Sequence, residues 1–151
     1  YRDAGFYLFL AVGFWLALWG HHLFFKEKLQ TEFAVGFVAL VTSASLWGLG
    51  GDMEGMKWCI ALCLGSGLGF VTSRYLLSYI RICEHCERGT AQTSYLLGWD
   101  AGLLAGYSVA FGLGTEVGQT IYTYIIGAIF VGTGMFHLFL VRPWYMRNKR
   151  K

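Results

Sequence analysis

Arg74, Asp100 and His137 stand inside otherwise apolar runs of this sequence. An ionisable group in hydrocarbon is costly, so it normally faces a cavity or a partner, and it often marks a solute path or a proton relay. Counted from the ends of their runs at about 1.5 Å per residue, Arg74 lies roughly 10 Å deep and Asp100 roughly 15 Å deep. An arginine is long enough to close that gap between two antiparallel neighbours. The pair reads as a substrate or proton-coupling site, with a structural ion pair, or an Arg74 that snorkels to the interface, as the alternatives. His137 is a protonatable group able to face a cavity. His21 or His22 together with His137 would be the pair to hold a haem between helices.

Cys83-Glu84-His85-Cys86 has metal-ligand residue types. A closed zinc site needs four ligands, and the other cysteines, Cys59 and Cys63, fall near the opposite face. No metal, no cofactor and no disulfide is expected. Small residues four apart let helix backbones approach closely. Gly65-x-x-x-Gly69 and the ladder Gly98, Gly102, Gly106 have that spacing and are expected to pack helices.

The elements that must position these residues are membrane helices. Only 14% of the 151 residues are charged and 56% are hydrophobic, whereas about 25% charged is usual in soluble domains. The net charge of +3 is small and gathered at one end, which argues against a nucleic-acid partner. A spanning helix needs about 20 mostly apolar residues. Five runs qualify: A near 4–25, B near 33–50, C near 57–80, D near 92–113 and E near 119–141. The expected fold is all-α, a single polytopic bundle of five transmembrane helices with a basic tail at 142–151. Pro143 is expected to end run E, because proline removes a backbone donor and clashes within a helix.

Lys and Arg collect in cytoplasmic connectors. One side holds Lys26, Lys28, Arg81, Arg88, Arg142, Arg147, Lys149, Arg150 and Lys151, and the other holds Arg2 and Lys57. This places the C-terminus in the cytoplasm and the N-terminus outside. Five spans, an outside N-terminus and Tyr1 as first residue read as part of a larger bundle.

Two stretches carry a resemblance. One is Leu64-Gly65-x-Gly67-x-Gly69-Phe70. The other is Cys86-Glu87-Arg88-Gly89-Thr90-Ala91-Gln92-Thr93-Ser94-Tyr95 followed by Trp99-Asp100-Ala101-Gly102 and Gly106. They resemble the last helices of major facilitator superfamily (MFS) transporters, especially efflux-type members of Bacteroidetes-like bacteria. The likeness covers nearly the whole chain and is most specific over 64–106. It makes A to E similar to helices eight to twelve of the C-terminal half. It implies A, C and D along a central cavity, B and E outside against lipid, and alternating access around a midplane site. It further implies a bacterial inner-membrane location, a small-molecule substrate, and a missing N-terminal half or partner chain that completes the bundle. On this reading the chain is a segment of an ion-coupled secondary transporter and not an enzyme. Asp100 is the coupling carboxylate or substrate contact, Arg74 its charge partner, and His137 a further candidate. The alternatives are a haem- or quinone-associated electron-transfer subunit, and a structural subunit of a membrane assembly.

Overall fold

The computed structural model describes residues 4–24, 29–50, 53–82, 88–113 and 119–148, and the secondary structure within them is entirely helical. The helices are α1 (Ala4–Phe24), α2 (Leu29–Gly50), α3 (Glu54–Ile82), α4 (Arg88–Leu113) and α5 (Gln119–Phe136). A π-helical turn at His137–Val141 then leads directly into α6 (Arg142–Asn148).

α3 is the axis of the packing, because it carries a stripe of small residues on one face and a further glycine, Gly67, on the opposite one. Ala61, Gly65 and Gly69 recur every four residues and form one stripe. Gly67, Val71 and Arg74 form a second stripe, turned about 200° from the first at roughly 100° per residue. α1 lies on the first. A Cβ on Gly65 would run into the carbonyl of Leu10, and one on Gly69 would lie 2.9 Å from the Phe14 carbonyl. A Cβ on Gly13 would meet the Leu62 carbonyl at 2.5 Å. Backbone therefore rests on backbone along this seam, and the order of the contacts makes α1 and α3 parallel. α2 lies on the second stripe in the antiparallel sense, with Gly36 against Gly67 and Val71, and Leu40 against Gly67. α5 covers α2, again antiparallel, with Thr123 beside Gly48 and Phe37 beside Gly134. Phe6, Ile60 and Ala61 form a buried apolar cluster near the start of α1 and α3.

Three helical stretches are long and apolar enough to cross a bilayer: Thr31–Leu49, Gly55–Ile82 and Ile121–Asn148. In α1 the apolar stretch Ala4–Gly20 is shorter, and α4 does not reach the same apolarity. Its first half is rich in polar side chains, with Gln92, Thr93, Ser94 and Asp100. Large apolar side chains such as Trp15, Trp19, Leu104, Tyr124 and Phe139 face outward. An outer surface of this kind is a liability in water and a requirement in hydrocarbon. The chain is a helical membrane protein.

Three boundaries differ from the sequence expectation. α2 begins at Leu29, so Glu32 lies inside the helix and not in the connector before it. α4 begins at Arg88, so the Arg88-Gly89-Thr90-Ala91 stretch is already helical. Pro143 does not end the last helical run, which continues to Asn148. The π-helical turn is the reason. It shifts the ladder so that the Arg142 backbone N–H donates to the His137 carbonyl, five residues back. The proline then enters at the second position of α6, where its missing N–H costs little.

Candidate functional site

Glu32 sits in the first turn of α2, and Arg74 sits eight residues before the end of α3. Antiparallel packing brings these ends together. On α2 the positions 32, 36 and 40 form one stripe; on α3 the positions 74, 71 and 67 run opposite to it. The glycines at 36 and 67 draw the two backbones close, and the stripes then meet at their charged ends. Arg74 Nε and Glu32 Oε2 form an ion pair. Both residues are buried, at 7% and 1% exposure.

This pairing corrects the expected Arg74–Asp100 contact. Asp100 is exposed and makes no ion pair among the described residues. α4 packs chiefly on α3, and the side it presents carries Tyr95, Gly98, Trp99 and Gly102. Asp100 is turned about 200° from both Gly98 and Gly102, which directs it away from α3. Glu32 escaped the sequence reading because it ends the polar connector Lys26–Glu32. The one available signal was its position directly ahead of an apolar run, since an acid in a first helical turn is favoured by the helix dipole.

His137 is buried and lies beside the ion pair through its neighbours. Phe33 follows Glu32, and Tyr75 follows Arg74. The His137 ring centroid is 4.1 Å from that of Phe33 and 5.4 Å from that of Tyr75. The Tyr75 hydroxyl and His137 Nδ1 are hydrogen-bonded at 3.1 Å. The hydroxyl donates when Nδ1 carries no proton and accepts when it does, so the contact tolerates either state of the ring. His137 also opens the π-helical turn, a deformation frequent at functional sites. α2, α3 and the π-helical turn thus converge on one layer of charged and aromatic groups.

Tyr75→Phe removes this bond and leaves the imidazole nitrogen unmatched. A loss of about 1 kcal/mol of folding stability is expected. A denaturant titration in detergent micelles measures it, and a stability equal to that of the parent protein contradicts the contact.

α4 is tied to α3 by a different pair of bonds. Trp99 Nε1 donates to the Tyr95 hydroxyl at 2.9 Å, and that hydroxyl donates to the Thr72 carbonyl at 3.0 Å. Beside this tie runs a groove of about 840 Å³ lined by Tyr75, Tyr79, Tyr107 and Phe130 among others. Gly98, Gly102 and Gly106 border it, and nothing lies within 4 Å of the place a Cβ would take on any of them. The α4 ladder therefore packs no helix among the described residues, contrary to expectation, whereas Gly65 and Gly69 lie at a helix crossing. The physical reason is the tyrosine and tryptophan side chains, which hold α4 off α3.

His21 and His22 fall in α1, but their side chains lie outside the described residues, as does the whole of Cys83–Cys86. Cys59 and Cys63 are free thiols. Among the described residues no group of three or more His, Cys, Asp or Glu side chains is placed to hold a metal. No family model, curated protein or solved structure matches the chain.

Proposed function

We propose that this chain is part of an ion-coupled secondary transporter, with the Glu32–Arg74 pair as its coupling centre. The observation that carries the reading is the burial of two opposite charges between spanning helices. A membrane protein keeps such groups at a cost, and ion and substrate pathways are where that cost is met. Protonating Glu32 would cancel its charge and leave Arg74 alone in a low-dielectric setting. The guanidinium would then be driven toward the near end of α3, where Arg and Lys side chains reach water. Loss of the pair removes the charged tie between α2 and α3, so one proton biases how these helices sit. The neighbouring aromatic groove supplies the wall along which a small solute moves.

The MFS resemblance supports this reading, with five spans, a cytoplasmic C-terminus in a bacterial inner membrane, and two bundles rocking around a shared site. One feature departs from the family expectation. That expectation puts the second helix outside against lipid, whereas α2 carries the buried acid. The coupling role proposed from the sequence for Asp100 therefore passes to Glu32, with Arg74 kept as charge partner and His137 as the adjacent protonatable group.

Solute-driven proton flux into membrane vesicles holding the full-length protein tests this directly. Glu32→Gln is expected to reduce the flux to the level of empty vesicles, while Asp100→Asn leaves it within about two-fold of the parent. Undiminished flux in Glu32→Gln would sink the coupling role and leave the pair a structural lock.

A further inference from the structure

A second cleft, of about 790 Å³, opens between α3 and the continuous run from α5 through α6. It is separate in character from the aromatic groove. Its walls are mostly apolar: Phe33, Ile82, Phe136, Leu140 and Val141 line it. At one end stands a single cation, Arg142, which is exposed and makes no ion pair among the described residues. Trp144 and Tyr145 stand beside it. Away from Arg142 lie Tyr75 and His137, whose hydroxyl and Nδ1 are hydrogen-bonded to one another, and neither adds a second fixed charge to the cleft.

The geometry points to a binding site for a single-chain anionic amphiphile, a long-chain carboxylate whose head pairs with Arg142 and whose chain lies along the apolar walls. Four observations agree. The volume is that of a pocket for one small ligand, within the roughly 300–1,000 Å³ usual for such sites. The charge is placed at one end only, which matches a molecule with one polar end. The cation is a guanidinium, whose planar fork suits a carboxylate. Arg142 also stands with Trp144 and Tyr145, residue types that settle at the membrane–water interface. A carboxylate at that level keeps its head near water while its chain points into hydrocarbon. The site does not depend on Glu32 acting in coupling.

Quenching of tryptophan fluorescence by brominated chains reads this site, because Trp144 lines the cleft. The experiment uses the full chain in neutral detergent, titrated with 9,10-dibromostearate, with the matching dibrominated alcohol, and with a dibrominated two-chain phosphatidate. Saturable quenching by the carboxylate is expected, and Trp144→Phe should remove most of it. Arg142→Gln should weaken the carboxylate by roughly ten-fold, the scale of one charge-assisted hydrogen bond, and leave the alcohol unchanged. Arg142→Lys should recover part of the loss. Equal binding of carboxylate and alcohol, or an Arg142→Gln protein that binds the carboxylate like the parent, overturns the anion site. Tighter binding of the phosphatidate overturns the single-chain assignment. Competition by millimolar inorganic phosphate would show that the chain is not needed, and would overturn it as well. Failure of the coupling role appears instead in the flux of Glu32→Gln, which this assay does not touch.

Discussion

Arg74→Ala is expected to destabilise the folded bundle by about 3–5 kcal/mol, the range for removing one partner of a buried ion pair. The size follows from what is left behind. Glu32 is 1% exposed, so its carboxylate would stay in a site that water does not reach. Glu32→Gln should cost less than Arg74→Ala, because an amide keeps the shape and can still accept a hydrogen bond from the guanidinium. Removing both charges at once tells stability from function. The Glu32→Met/Arg74→Met protein should regain most of the lost stability, since buried pairs are commonly no better than apolar residues of similar volume. It should regain none of the solute-driven proton flux. A denaturant titration in micelles gives the first value and the vesicle assay gives the second. A loss below about 1 kcal/mol in Arg74→Ala would mean that Glu32 escapes to the interface when left alone. Flux restored in the double variant would make the charges dispensable.

Gly65→Leu should be nearly as damaging, and Gly102→Leu should not. The two glycines share a motif and differ in surroundings. The place of a Cβ on Gly65 is occupied by the carbonyl of Leu10, a backbone atom that cannot swing aside as a side chain can. Relief requires α1 to move away from α3, which opens the seam that also holds Gly13, Ala17 and Gly69. Overpacking typically costs about 1–3 kcal/mol and occasionally more; a backbone clash belongs at the upper end. The Cβ of Gly102 meets nothing within 4 Å, so leucine there should cost less than about 0.5 kcal/mol, as at other exposed sites. Equal losses at the two positions would show that α4 packs its glycine ladder against another helix in the membrane. The comparison therefore reads α4 as well as α1.

Several features of this protein follow from composition and local pattern alone. The helices form over long, mostly apolar runs, three of them long and apolar enough to cross a bilayer, because a backbone in hydrocarbon has to satisfy its own hydrogen bonds. That reasoning needs no partner, and it placed all five long helices close to their observed positions. It also singled out Arg74 and His137, since a buried polar residue in a span is unusual wherever it points. Gly65 and Gly69 were legible for the same reason: small residues at helical spacing make a smooth stripe before any neighbour is known.

Which stripe meets which helix is not a local property. The motifs on α3 and α4 look alike, yet one closes a helix crossing and the other borders an open groove. The difference lies in Tyr95 and Trp99, whose side chains hold α4 off α3 through the hydroxyl bonded to the Thr72 carbonyl. The partner of Arg74 was likewise beyond local reasoning. Asp100 is the other charge deep inside a long run, but rotation about α4 turns it outward. Glu32 belonged to a polar connector by composition, and it became a buried acid only when α2 packed antiparallel on α3 along Gly36 and Gly67. Proline breaks an α-helical ladder, so Pro143 taken alone signals a stop; a π-helical turn just before it moves the ladder and lets the helical run continue. Composition and local pattern are enough to make these segments helices, three of them long and apolar enough to cross a membrane, and to require that charges within them be sheltered. The tertiary structure decided which charges shelter each other, because a pairing across helices depends on rotation and register, and those are set by the close contacts of glycines and aromatics on neighbouring helices.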